Sequence, residues 1–335
     1  MANRISKFFK TTLNPEMYHG PVMKPPFFEG WYFKVVDVSG QQRFAFIPGV
    51  FMGKTEEDSH AFVQVLEGAS SRVEYHRYPI DQFWAAEDHF ELRIGDNHFS
   101  LDQIELNIQN AEQTVKGVLK FADPIGWPVR LTSPGVMGWF AWVPRMECYH
   151  GVLGFDHPIR GRINVDGNQI NFDGGHGYIE KDWGKAFPQA WVWMQSNHFQ
   201  QPRTCLTASV AIIPWIKNAF AGFIVGFWQD GKLQRFATYA NSRILELAVD
   251  DQHVRWQMRN RTHRLEILAT QAEGGLLRAP TPEGMGRRIA ETLNASIHVR
   301  LINLKTGEIE FDDIGHYAGL EAVGDLEKLR EMAVG

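Results

Sequence analysis

The chain has 335 residues, 44% hydrophobic and 22% charged, the composition of a soluble globular protein long enough to bury two cores. Its 34 basic and 39 acidic side chains leave a net charge of −5 with no Lys/Arg run, which argues against a nucleic-acid partner. No apolar run reaches the length of a membrane span and residues 1–20 lack the apolar core of a secretory signal, so the expected location is cytoplasmic.

The first segment places Arg4, Lys7 and Lys10 around Ile5, Phe8 and Phe9, a short stretch that reads first as a frayed or docked N-terminal arm and only second as a peripheral membrane contact. Strand-like alternation then sets in, with Glu29, Trp31, Phe33 and Val35 on one face. Turn signals follow at Gly95-Asp96-Asn97 and Val165-Asp166-Gly167-Asn168. Others lie at Gln229-Asp230-Gly231-Lys232, Asp250-Asp251 and Lys305-Thr306-Gly307-Glu308. Residues 122–146, rich in Pro, Gly and Trp, predict a crossover, and residues 325–332 predict a terminal helix. The order of segments from Trp31 to Asp37 onward repeats roughly 160 positions later from Trp191 to Asn197. The pattern predicts an all-β protein of two lipocalin-like antiparallel β-barrel domains related by duplication, over residues 1–143 and 144–335. Cys148 and Cys205 have no framework or metal spacing and read as free thiols in a reducing compartment.

The densest stretch runs from 174 to 199. Past Ala190, alternation gathers Trp191, Trp193, Gln195 and Asn197 on one face and Val192, Met194 and Ser196 on the other. Large aromatics sharing a face with amides predict a wall that holds an apolar ligand and orients it. There is no HExxH, CxxC, GxSxG or P-loop, and Gly284-Met285-Gly286 lacks a preceding strand, an absence consistent with chemistry that needs no cofactor and no metal.

With these motifs in view the chain resembles the tocopherol cyclase family. The resemblance rests on residues 27–33 (FFEGWYF), 88–92 (DHFEL) with Phe99 and Ser100, and above all 177–184 (GYIEKDWG) followed by Phe187, Pro188, Trp191, Trp193, Gln195 and Asn197. Residues 318–321 (AGLE) add a last echo. It implies cofactor-independent, acid-catalysed cyclisation of a prenylated hydroquinone to a chromanol, with an apolar prenylated aromatic or isoprenoid as substrate. An unperturbed Glu is only about 0.2% protonated at neutral pH, and burial raises a carboxyl pKa by up to roughly 3–5 units. The donor is therefore sought among carboxyls set beside rings. Parity places Tyr178, Glu180 and Asp182 on one face, opposite Ile179, Lys181 and Trp183.

The candidate donors are Glu180, Asp182 and Glu29, with His176 and Tyr178 handling the phenol proton. Trp31, Phe33, Trp183, Trp191 and Trp193 are assigned to the cavity lining, and Gln195 and Asn197 to orienting the quinol oxygens.

Plainer readings stand beside these. Residues 180–182 could be a solvated turn, Glu29 a cap or ion-pair partner across a barrel mouth, Trp31 and Trp183 core, and His176 a backbone-bonded loop residue. His60, His76, His89, His98 and His150 have no ligand spacing and are expected at the surface or as satisfied core. Two other functions fit the same wall: hydration of an isoprenoid double bond, and a non-catalytic carrier of quinones or lipids. A carrier has no use for a buried carboxyl with a raised pKa.

Overall fold

Each predicted turn closes a hairpin in the computed structural model, which describes residues 2–334. Asp166 and Gly167, at φ 50° and 88°, and Asp230 and Gly231, at 45° and 82°, take the left-handed conformation that a two-residue hairpin turn demands. The chain divides into two compact units, Met1–Phe187 with Leu277–Arg288, and Pro188–Leu276 with Ile289–Gly335.

Unit 1 opens with helix α1 (Ala2–Thr12) and carries β1 (Phe27–Val36), β2 (Arg43–Met52), β3 (His60–Glu67), β4 (Arg72–Tyr78), β5 (Phe83–Ala85) and β6 (Glu91–Ile94). It continues with β7 (Asn97–Ser100), β8 (Gln103–Gln109), β9 (Thr114–Phe121), β10 (Cys148–Val165), β11 (Asn168–Asn171) and β12 (His176–Gly184). The strands form one antiparallel sheet in the order β4-β3-β2-β1-β12-β10-β9-β8-β7-β6-β5, with β11 paired to β10. Trp31, Phe33, Phe44, Phe46, Phe99, Leu119 and Ile179 fill its inner face. β10 pairs with β12 through its first half and with β9 through its second, with register shifts between Val152 and His157.

Unit 2 is built on β13 (Trp191–Ser196), β14 (Thr204–Trp215), β15 (Asn218–Gln229), β16 (Lys232–Ala237), β17 (Arg243–Val249), β18 (His253–Arg259) and β19 (His263–Thr270). β20 (Gly275–Thr281), β21 (Gly284–Asn303) and β22 (Ile309–Val323) complete its sheet, though residues 277–288 belong to unit 1. The order is β16-β15-β14-β13-β22-β21-β19-β18-β17. Its core holds Val192, Met194, Phe227, Trp256, Ile297 and Leu329, the last from helix α2 (Leu326–Val334), where the Asp325 carboxylate accepts the Lys328 N–H at 3.0 Å.

Both sheets follow one scheme, in which the last strand pairs antiparallel with the first, β12 with β1 and β22 with β13. Three expectations differ. Among the described residues no ladder joins β4 to β5 or β16 to β17, so the closed barrel is not observed. The expected boundary at 143/144 lies inside unit 1, because β10 and β12 are hydrogen-bonded to β9 and β1. β1 and β13 hold corresponding places, yet Trp31 faces the core of its sheet and Trp191 does not, so the residue-by-residue repeat is out of step by an odd number of positions.

Candidate active site

β12 sits between β1 and β10 and divides its side chains by parity. Register sets Lys181 opposite Trp31 and Gly151, and Trp183 opposite Glu29 and Tyr149, on the inner face. Tyr178, Glu180 and Asp182 fall on the other face, opposite Lys34, Tyr32 and Gly30 on β1, with His150 opposite Asp182 on β10.

The inner face explains four of the predicted residues without chemistry. Lys181 is fully buried, with its ammonium 2.6 Å from Glu29 Oε1, 4.5 Å from the Trp31 ring and 4.9 Å from the Trp183 ring. It donates to the carbonyls of Pro15 and Met17 and lies 2.9 Å from His19 Nδ1. Both Glu29 oxygens accept the His19 backbone N–H, at 2.9 and 3.0 Å. The cluster ties residues 15–19 to the sheet. Burial alone would raise the Glu29 carboxyl, but Lys181 and His19 outweigh it and hold it below the usual value. Glu29 is therefore an ion-pair anion, not a loaded acid.

Trp31 donates its N–H to the Glu16 carbonyl at 3.0 Å, and Phe33 stacks among Phe90, Phe99 and Phe121; both are core. Trp183 lies between His19, 4.2 Å away, and Tyr149, 5.4 Å away. These rings pack on the Lys181 side, away from Glu180 and Asp182.

The opposite face gathers titratable groups. The Tyr178 hydroxyl donates to Glu180 Oε2 at 2.5 Å, and Glu180 is 4% exposed. His150 Nε2 lies 3.7 Å from the same Glu180 oxygen, and its Nδ1 lies 2.9 Å from Asp182 Oδ1. Asp182 is half-buried. Burial pushes the His150 imidazole down, but the two carboxylates prevail and lift it to about 9, so it is protonated at neutral pH. Cys148 lies 3.9 Å from Asp182, and burial, reinforced by that carboxylate, pushes its thiol well up, leaving it an unreactive thiol.

His176 shares the parity of this face but stands at the start of the strand, half-exposed and bonded to Asp156 at 2.8 Å. That bond, opposed by burial, raises its pKa. Chemically the cluster can keep a proton on an imidazole flanked by two carboxylates. The ligand atoms of His150, Glu180 and Asp182 also lie within 4.8 Å of one another, close enough to hold a metal ion.

Unit 2 carries the predicted aromatic and amide face. Trp191, Trp193, Gln195 and Asn197 are all buried, and their strand turns Val192 and Met194 to the core. The Trp191 N–H donates to Glu321 Oε2 at 2.6 Å, and register sets Glu321 opposite Trp193. Gln195 donates to Asn197 Oδ1 at 3.4 Å.

Sequence reasoning missed His150, Lys181, His19 and Glu321. Lys181 carried a usable signal, a lysine at odd parity among Ile179 and Trp183. His150 carried none, since its partners arrive through pairing across 32 positions.

Residues 103–324 match the family model described as tocopherol cyclase-like. The chain belongs to the tocopherol cyclase-like family. It is 24% identical over 370 aligned residues to the chloroplastic tocopherol cyclase of Zea mays, covering 92% of this chain and 77% of that protein. Among solved structures, CghA superposes with a TM-score of 0.58 at 12% identity over 90% of each chain. CghA with Sch210972 gives 0.55, also at 12% identity, over 90% of this chain and 89% of that one. At such identity the likeness shows the fold that this family member shares, and no more. Among the described residues no helix is long and apolar enough to cross a membrane.

Proposed function

We propose that the chain is an enzyme that cyclises a prenylated hydroquinone to a chromanol by acid catalysis. The observation that carries this reading is His150 held as a cation between Asp182 and Glu180. An imidazolium with a pKa of about 9 is a poor donor to carbon. For delivery to carbon the proton passes from His150 to Glu180, whose Oε2 is 3.7 Å from Nε2, and the carboxylic acid formed in that transfer protonates the alkene. Asp182 orients His150, and Tyr178 fixes the Glu180 carboxyl.

The alkene π pair takes the proton and becomes a C–H bond, leaving a tertiary cation. The phenol oxygen bonds to that carbon, and its proton returns to the Glu180–His150 pair. No oxidant or reductant is required. Within unit 2, Trp191 and Trp193, with Gln195 and Asn197, form a buried face of aromatic rings and amides of their own. Family membership and the tocopherol cyclase relative in Zea mays support the substrate class. The burial of Glu180 favours an enzyme over a carrier, and the matching strand orders favour the reading of two duplicated lipocalin-like units.

The test is to incubate the purified protein with a prenylated benzoquinol and follow chromanol by mass spectrometry. Turnover is expected, lost in Glu180→Gln and in His150→Gln, while quinol binding, read from tryptophan quenching, persists. Unchanged substrate bound by the wild type favours the carrier, and a tertiary alcohol product favours the hydratase. Loss of turnover on treatment with a chelator would assign His150, Glu180 and Asp182 to a metal instead.

A further inference from the structure

Unit 1 bears a surface that the chemistry above does not use. Helix α1 rests on the segment that includes the 3-10 helical stretch Gly135–Trp142: the Trp142 ring lies 5.1 Å from Phe9 and 6.1 Å from Phe8, and its N–H donates to the Leu131 carbonyl at 2.8 Å. The two segments thus form one continuous face. Six of the sixteen exposed large apolar side chains among the described residues lie in α1 or in residues 125–142, namely Ile5, Phe9, Ile125, Val129, Leu131 and Trp139. Phe9 and Trp139 are 49% and 47% exposed although Phe9 packs on Trp142 and Trp139 stacks on Phe140 at 4.1 Å, which leaves their outer aromatic surface in water.

Charge distinguishes this face from the rest. The chain as a whole is at −5, yet residues 2–14 and 125–146 contain Arg4, Lys7, Lys10, Arg130 and Arg145 and no Asp or Glu. Lys7 has an acidic neighbour, Glu87, at 3.3 Å, and Lys10 donates to the Glu87 carbonyl; Arg130 and Arg145 are exposed. Exposed aromatic and aliphatic side chains interspersed with cations, on a short amphipathic helix packed against a second apolar segment, have the composition that lies in a lipid headgroup layer.

We propose that this face docks unit 1 on an anionic membrane surface, with Phe9, Leu131 and Trp139 entering the headgroup region and the five basic residues meeting lipid phosphates. The inference stands independently of the reaction assigned to the protein. A docked enzyme would meet a substrate that dissolves in lipid and not in water.

The experiment is flotation of the full chain with vesicles of phosphatidylcholine alone or mixed with phosphatidylglycerol, alongside tryptophan emission. Wild type should float with the mixed vesicles, with a blue-shifted emission, and bind phosphatidylcholine more weakly. Each neutralised cation should lower partitioning about five-fold. Lys10→Gln with Arg130→Gln should therefore lose roughly 25-fold, and Phe9→Ser with Trp139→Ser should abolish flotation. All four side chains are exposed, so far-UV dichroism and the thermal unfolding midpoint should stay those of the wild type. Wild type left in the soluble fraction with mixed vesicles overturns the proposal, as does equal binding by both double variants. A dimer seen by light scattering, dissolved by Phe9→Ser with Trp139→Ser and indifferent to vesicles, would assign the face to a second copy and overturn it too.

Discussion

The charge on His150 makes a claim about stability that needs no substrate. Its pKa stands at about 9 in the folded chain against an ordinary 6.5, because Asp182 Oδ1 is 2.9 Å from Nδ1 and Glu180 Oε2 is 3.7 Å from Nε2. A group with a raised folded pKa stabilises the native state fully below its unfolded value, and loses that contribution as pH rises through the folded value. With each unit worth about 1.4 kcal/mol, the contribution is about 3 kcal/mol, present below about pH 6.5 and gone above about pH 9. The side chain is only 14% exposed, so solvent screening removes little of it.

The assay is urea unfolding of the wild type and His150→Gln between about pH 6 and pH 10, taking the stability difference at each pH. Lys181, lowered to about 8 by burial, titrates in both proteins and cancels. The difference should shrink by about 3 kcal/mol over that interval. A difference flat with pH, or one that grows, would mean that the imidazole is neutral in the folded protein. The proton reservoir invoked for Glu180 would then not exist.

Much of the scaffold was legible because it depends on local rules. Asp-Gly at 166–167 and 230–231 demands positive φ at both turn positions, and the hairpins form there. Strand parity separated Tyr178, Glu180 and Asp182 from Ile179, Lys181 and Trp183, and Trp191 and Trp193 from Val192 and Met194, as the ladders show. Parity does not say which face is the core. Glu29, Trp31 and Phe33 have the carboxyl-and-ring signature sought for a proton donor, yet they lie on the inner face beside Lys181, where the carboxyl is an anion. The plainer reading of Glu29, an ion-pair partner, holds. His150 was passed over because a histidine's role depends on what pairs across the sheet. Its place opposite Asp182 is set by the register of β10 on β12, which no local motif announces.

Two further perturbations probe the frame around the cluster. Gly161 on β10 has φ 129°, and a Cβ there would lie 2.1 Å from the Val118 carbonyl oxygen on β9, so Gly161→Ala should cost at least about 1–3 kcal/mol by thermal unfolding. A neutral result would mean that β9 and β10 can separate without loss. Lys181→Met tests the inner face, since it leaves the Glu29 carboxylate buried with His19 alone; breaking such a pair costs about 3–5 kcal/mol. Because the ammonium also binds the Pro15 and Met17 carbonyls, the same variant should expose residues 15–19 to hydrogen exchange. Adding Glu29→Gln to Lys181→Met should restore part of the loss, as it removes the stranded charge. If the two losses simply added, no coupling would join these side chains, and the ion pair could not be what holds Glu29 ionised and fastens the N-terminal segment to the sheet.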